Sequence, residues 1–135
     1  MLPPTSPEAD CRVRIFIPGR ELPFTGHPTL GSAHAWFEGG GMPHTDDVVM
    51  QECAAGLVRV LRGDGILSFA APATQRTGES VGQWLIRAGE ASTNYRVSQG
   101  DRLGRASDIS ITADDDGQVW VGGATTTCVR GTAVM

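Results

Sequence analysis

The chain has 135 residues, 40% of them hydrophobic, which is enough for one ordinary hydrophobic core. Its net charge is −4 without a long run of like charges, so neither a nucleic-acid groove nor an anionic membrane surface is expected as a partner. All eleven basic residues are arginine, and the absence of lysine excludes a Schiff base with pyridoxal phosphate and a Walker-type phosphate site.

The first predicted elements are a loose or edge segment over residues 1–10 and a strand over residues 12–18. The strand places three apolar side chains on one face: Val13, Ile15 and Ile17. A helix over residues 28–38 follows, because Pro28 suits a first helical position and Gly26 can take backbone angles that other residues resist. Four side chains of this helix have the spacing of a core-facing stripe: Leu30, Ala33, Trp36 and Phe37.

Strands are predicted next over residues 48–52, 57–61 and 66–70, and the Asp64-Gly65 pair favours a hairpin between the last two. A second helix over residues 81–88 is predicted to carry Trp84 and Leu85 inward and to end at Gly89. The remaining predicted strands cover residues 95–98, 107–112, 118–122 and 126–134. Residues 114–117 are interpreted as a solvated turn, because they lack the alternating ligands and the distal glutamate of a calcium loop.

His27 lies where the first strand passes into the first helix. A helix start offers unpaired N–H groups and the positive end of the helix dipole, which together favour an anion. A histidine beside them can supply a proton or a hydrogen bond near neutral pH. The sequence therefore predicts a site for an anionic ligand around Gly26 and His27.

The segment that carries this site has the sequence Glu-Leu-Pro-Phe-Thr-Gly-His-Pro-Thr-Leu-Gly-Ser-Ala, over residues 21–33. It resembles the signature of the phenazine-biosynthesis PhzF-like family, whose members are relatives of diaminopimelate epimerase. Further stretches agree with the family: residues 51–58, 67–72, 83–86, 97–105 and 119–125. The resemblance implies an α+β fold in which an antiparallel β-barrel, or half-barrels, wrap around central helices.

The resemblance also implies an isomerase or epimerase that moves a proton on a small carboxylated metabolite without a cofactor. It makes His27 the candidate catalytic residue. The residues expected to bind the substrate are Gly26, Gly31, Ser32, Gln99, Gly100 and Arg105. The three histidines lack the close paired spacing of zinc ligands, so no metal site is expected.

Two family motifs are missing from the chain. The catalytic glutamate of a Glu-Ser/Thr-x-Phe motif is expected upstream of Leu2, and an Asp-Pro-Ala/Val-Thr-Gly-Ser motif is expected before the second helix. We therefore expect a junction near residues 78–82, with lobes at residues 1–78 and 79–135 that are either separate or merged into one compact domain. The alternative function is then a catalytically inactive remnant or a small anion-binding module that retains the fold.

Glu21 and Glu52 are the carboxylates that could replace the missing glutamate if burial raised their pKa values, although a structural or substrate-orienting role is favoured for both. Cys53 and Cys128 could form a thiol pair like that of related epimerases, but small buried strand residues are the favoured interpretation. With Cys11 they make an odd, widely spaced set that suits reduced thiols.

The chain shows neither an apolar segment of membrane-spanning length nor a signal peptide, so a cytoplasmic protein is expected. A homodimer in which each copy supplies one lobe is the expected assembly.

Overall fold

The computed structural model of the chain describes residues 1–63, 65–72 and 81–131, and for residues 81–83 it describes only the backbone. The helices are α1 (Gly26–Glu38) and α2 (Val81–Arg87), with a short 3-10 turn at Asp101–Leu103. The strands are β1 (Cys11–Arg12), β2 (Ile15–Ile17), β3 (Arg20–Leu22), β4 (Val48–Cys53), β5 (Gly56–Gly63), β6 (Ile66–Ala70), β7 (Asn94–Gln99), β8 (Ser107–Ala113) and β9 (Val119–Gly123). The α+β class expected from the sequence is confirmed. Neither helix in the described part is long and apolar enough to cross a membrane.

Seven of these strands form one sheet in the order β1-β4-β5-β6-β9-β8-β7. Neighbouring strands are antiparallel except for β1 and β4, which are parallel. Strand β6 of the first predicted lobe pairs with β9 of the second, with Ala70 opposite Trp120. Backbone hydrogen bonds therefore connect the two predicted lobes. The predicted junction near residues 78–82 lies largely outside the described residues.

Helix α1 packs on one face of this sheet, because its apolar stripe meets the alternating apolar side chains of β4, β6 and β9. Ala33, Val49 and Val60 are completely buried there. Leu30 is buried as well, and Trp36 and Phe37 are half-buried against the same cluster. The stripe predicted from the helical spacing therefore faces the core as expected.

The single strand predicted over residues 12–18 is wrong. Strand β1 ends at Arg12 after pairing with β4, and β2 pairs instead with β3 in a separate two-stranded hairpin. The turn after Ile17, where Gly19 takes a φ of +89°, reverses the chain and brings β3 beside β2. Ile17 is consequently 40% exposed rather than part of an apolar face. Helix α1 begins at Gly26, two residues before the predicted start.

Two predictions for the second half also need correction. Trp84 does not point inward, because it is 48% exposed, whereas Leu85 is half-buried. Among the α2 side chains that the structure describes, Ile86 packs against the core. The strand predicted over residues 126–134 is absent from its described part, since residues 124–131 are irregular. The turn at residues 114–117 is confirmed by a bond from the Gly117 N–H to the Asp114 carbonyl at 2.9 Å. The tip of the β5–β6 hairpin includes residue 64, which lies outside the described part.

The N-terminal segment lies at the edge of the sheet, which was one of the two alternatives predicted for residues 1–10, and it is not loose. The carboxylate of Glu52 on β4 accepts the N–H groups of Thr5 and Ser6 at 2.6 and 3.1 Å, and also the Thr5 hydroxyl. The Asp10 carboxylate, 1% exposed, accepts the N–H of Met50 at 2.7 Å. The segment therefore covers the β1–β4 end of the sheet.

Acid should loosen this attachment. The bonds from Thr5 and Ser6 lower the pKa of Glu52, so its contribution to stability is present above the ordinary glutamate pKa of about 4.3 and is lost as the pH falls through the lowered value. We expect Glu52→Gln to melt at a lower temperature than the wild type at pH 6, and the difference to shrink toward pH 3. Glu8→Gln, an exposed acid in the same segment, is the control. A difference between wild type and Glu52→Gln that stays constant with pH would contradict this assignment.

Candidate functional site

A cavity of about 270 Å³ opens between the start of α1 and the β7–β9 part of the sheet; we call it the site cavity. Apolar walls come from Leu30, Phe69, Ile109 and Val121. Its lining also includes polar residues, among them His27, Gln99, Ser107 and Thr125. Apolar walls with a few polar groups are typical of small-molecule sites.

The N-terminus of α1 faces this cavity with its backbone donors uncapped. Thr25 is the N-cap residue, yet its side chain makes no capping hydrogen bond, and its buried hydroxyl oxygen has no partner among the described residues. The first intrahelical backbone bond runs from the Thr29 N–H to the Thr25 carbonyl at 3.2 Å, so the N–H groups of Gly26 and His27 precede it. The first turn also carries no acidic residue. An anion would therefore be stabilised here by free donors and by the helix dipole.

The position of this helix start is fixed by two contacts. The Gln51 side chain on β4, 2% exposed, donates from Nε2 to the Thr29 carbonyl at 3.1 Å. Gly26 lies against the ring of Phe69, and a Cβ at Gly26 would come within 2.9 Å of Cζ of that ring. Only glycine allows the helix to begin so close to the core.

The sequence-predicted residues Gly26, His27 and Gln99 all line the site cavity. His27 is exposed at its α1 side, and Gln99 enters from the end of β7. Gly31 lines a different cavity, farther along α1. Ser32, also on α1, is half-buried and lines neither of these two cavities.

Gly100 and Arg105 form a turn beyond β7 and are absent from the cavity lining. The Arg105 N–H donates to the Gly100 carbonyl at 3.1 Å, and Gly100 takes a φ of +89°. The turn fixes how the chain passes from β7 to β8. Its contribution to the cavity is therefore indirect, through the placement of Gln99 and Ser107 at the adjoining strand ends.

Neither candidate replacement for the family glutamate has the raised pKa that this role requires. Glu21 forms a hydrogen-bonded ion pair with Arg14 at 2.7 Å, which lowers the pKa of the carboxyl group. The bonds of Glu52 to Thr5 and Ser6 likewise lower its pKa. Neither residue lines the site cavity.

Asp108 also lines the cavity, and sequence reasoning missed it. It precedes Ile109, which packs against the core, so strand alternation places the Asp108 side chain on the opposite face. There its carboxylate pairs with Arg96 at 2.9 Å. Among the described lining residues, His27 therefore carries the titratable side chain on the cavity side.

The three cysteines are free thiols, and none lines the site cavity. Burial raises the pKa of Cys11 to about 11, which makes it an inert core residue. Cys53 is half-buried and its thiol donates to the Gly56 carbonyl at 3.3 Å. Cys128 is exposed in an irregular segment, so its predicted place as a buried strand residue is wrong.

Comparison with known proteins gives a consistent set of relatives. A family model described as "Phenazine biosynthesis-like protein" matches residues 1–80. Antisense-enhancing sequence 1 of Schizosaccharomyces pombe is 49% identical over 57 residues, which are 42% of this chain and 19% of that protein. An uncharacterized isomerase of Mesorhizobium japonicum is 46% identical over 67 residues, which are 48% of this chain and 22% of that protein. The matched region thus spans about a fifth of each curated relative.

The fold also has a counterpart among solved structures. The structure of a predicted epimerase from Pseudomonas aeruginosa superposes with a TM-score of 0.65 at 17% sequence identity. The superposition covers 91% of this chain and 78% of that one. At this identity the likeness concerns the arrangement of helices and strands.

Proposed function

The chain belongs to the phenazine biosynthesis-like protein family, and from this premise we propose that it binds a small carboxylated metabolite in the site cavity and moves a proton on it without a cofactor. One observation carries the proposal. Gly26 and His27 meet Gln99, more than seventy positions away in the sequence, at one cavity beside an uncapped helix start. An isomerase or epimerase needs a held carboxylate and a proton-transferring group within reach of the neighbouring carbon.

Different parts of the cavity would hold the carboxylate and transfer the proton. The N–H groups at the start of α1 suit the carboxylate of the metabolite, and they would also stabilise the negative charge that develops when a proton leaves the adjacent carbon. The His27 imidazole can accept that proton and return it to a conjugated carbon, so the double bond shifts and no atom is gained or lost overall. The walls of Leu30, Phe69, Ile109 and Val121 suit the apolar body of the metabolite.

A second candidate function is favoured by a separate observation. Glu21 and Glu52 are bound elsewhere as anions, and the Asp108 carboxylate lies on the far face of β8. Among the described residues that line the site cavity, no carboxylate side chain is therefore placed to share proton transfer with His27. An anion-binding module without turnover would need only the helix start, His27 and Gln99.

Incorporation of solvent deuterium distinguishes the two functions. Small amino and hydroxy carboxylic acids would be incubated with the protein in deuterated buffer and followed by proton NMR. We expect loss of a carbon-bound proton signal in at least one acid, at a rate proportional to protein concentration. Binding without exchange by a well-folded protein would contradict the isomerase proposal and support the binding module.

A further inference from the structure

Residues 125–131 form an irregular segment that follows β9 and lies along α1; we call it the strap. A cavity of about 520 Å³ separates part of the strap from the helix. The helix side of this cavity includes Gly31, His34 and Glu38. The strap itself is exposed from Thr126 onward, and Val129 is 89% exposed. No apolar side chain in this exposed part therefore anchors the strap.

The strap is held instead by a polar cluster centred on Glu38, at the end of α1. The Glu38 carboxylate accepts the hydroxyl of Thr127 and pairs with Arg130 at 3.0 Å. His34 lies one turn earlier on the same helix face, with Nε2 at 2.9 Å from the Thr127 hydroxyl oxygen. The Thr127 bond, with Arg130 and His34, lowers the pKa of Glu38, which keeps its carboxylate ionised at neutral pH.

We propose that the strap is a lid latched to α1 through Glu38, and that its release opens the cavity beneath it. Exposed ion pairs and hydrogen bonds are individually weak, so a lid held by a few of them can open without disturbing the core. Release would also reach the site cavity, because Thr125, the first residue of the strap, lines both cavities. The contacts of Glu38 at the end of α1 thus affect the site cavity at the start of the same helix.

Cleavage by trypsin after Arg130 reports release of the strap, because a protease needs a freely accessible backbone. Glu38→Ala removes the carboxylate that both strap residues contact, and alanine preserves the helix. Thr127→Val removes the linking hydroxyl at nearly constant size and leaves α1 unchanged. We expect both variants to be cut after Arg130 at least threefold faster than the wild type, with unchanged melting temperatures.

Cleavage after Arg105, which is exposed in the turn beyond β7, is the internal reference, and Glu8→Ala is the control for removal of a surface carboxylate. Equal cleavage after Arg130 in the wild type and both variants would overturn the proposal. So would a rise at Arg105 of the same size, because that would indicate general unfolding. The measurement involves no substrate, so its outcome is independent of the proposed proton transfer.

Discussion

Replacing His27 with alanine should slow deuterium incorporation into a substrate acid by about 10²–10⁴-fold. His27 is the residue that presents a titratable side chain to the site cavity among those described. Its ring is exposed, so little packing is lost, and the melting temperature should remain close to that of the wild type. The exchange rates of the variant and the wild type would be compared at equal protein concentration.

His44→Ala is the matched control for this experiment. His44 is also exposed, and its side chain pairs with Asp10 at 2.9 Å rather than entering the site cavity. We expect its exchange rate to equal that of the wild type. An exchange rate in His27→Ala that stays close to the wild-type rate, or an equal loss of exchange in His44→Ala, would contradict the role assigned to His27.

Replacing Gly100 with alanine should lower the free energy of unfolding by about 3 kcal/mol, from left-handed backbone strain and from steric overlap together. Gly100 takes a φ of +89°, and a Cβ there would lie 2.2 Å from the carbonyl oxygen of Arg105. That oxygen belongs to the backbone, so no side-chain rotation can relieve the overlap. Urea denaturation of the variant and the wild type measures the loss.

Gly104 provides the matched control, since it closes the same turn. It takes a φ of +65°, but a Cβ there would have no heavy atom within 4 Å. Gly104→Ala should therefore cost only the backbone strain, about 1 kcal/mol. Equal losses for the two variants would show that the close approach of Arg105 is unimportant. The predicted difference assigns Gly100 a structural role in the turn.

Local patterns in the sequence predicted much of the fold. The apolar stripe of α1 and the β5–β6 hairpin depend on spacings within a few residues, and both are present. The division of residues 12–18 was missed because an apolar alternation does not reveal which strand will be the partner. The exposure of Trp84 was missed for a related reason. Helical spacing suggests an inward face, whereas the contacts of a seven-residue helix decide which side chain is covered.

Some residues of the candidate site could likewise be predicted from the local sequence, and others could not. Gly26 and His27 were predicted as site residues because the sequence indicates a strand-to-helix turn there. Gln99 was suggested only by the family resemblance, and Ser107 and Thr125 join the cavity through the β6–β9 and β7–β8 pairings. The partners that lower the pKa values of Glu21 and Glu52 also could not be predicted from the sequence. Thr5, for example, lies 47 positions from Glu52 along the chain.

The central claim is that the start of α1 binds a carboxylate in the site cavity. An NMR titration of the nitrogen-15-labelled protein tests it directly, with one carboxylic acid and its neutral amide as the matched pair. The account predicts saturable shifts of the Gly26, His27 and Gln99 backbone amide signals with the acid and much smaller shifts with the amide. Equal shifts with both compounds, or shifts confined to residues away from the site cavity, would contradict it.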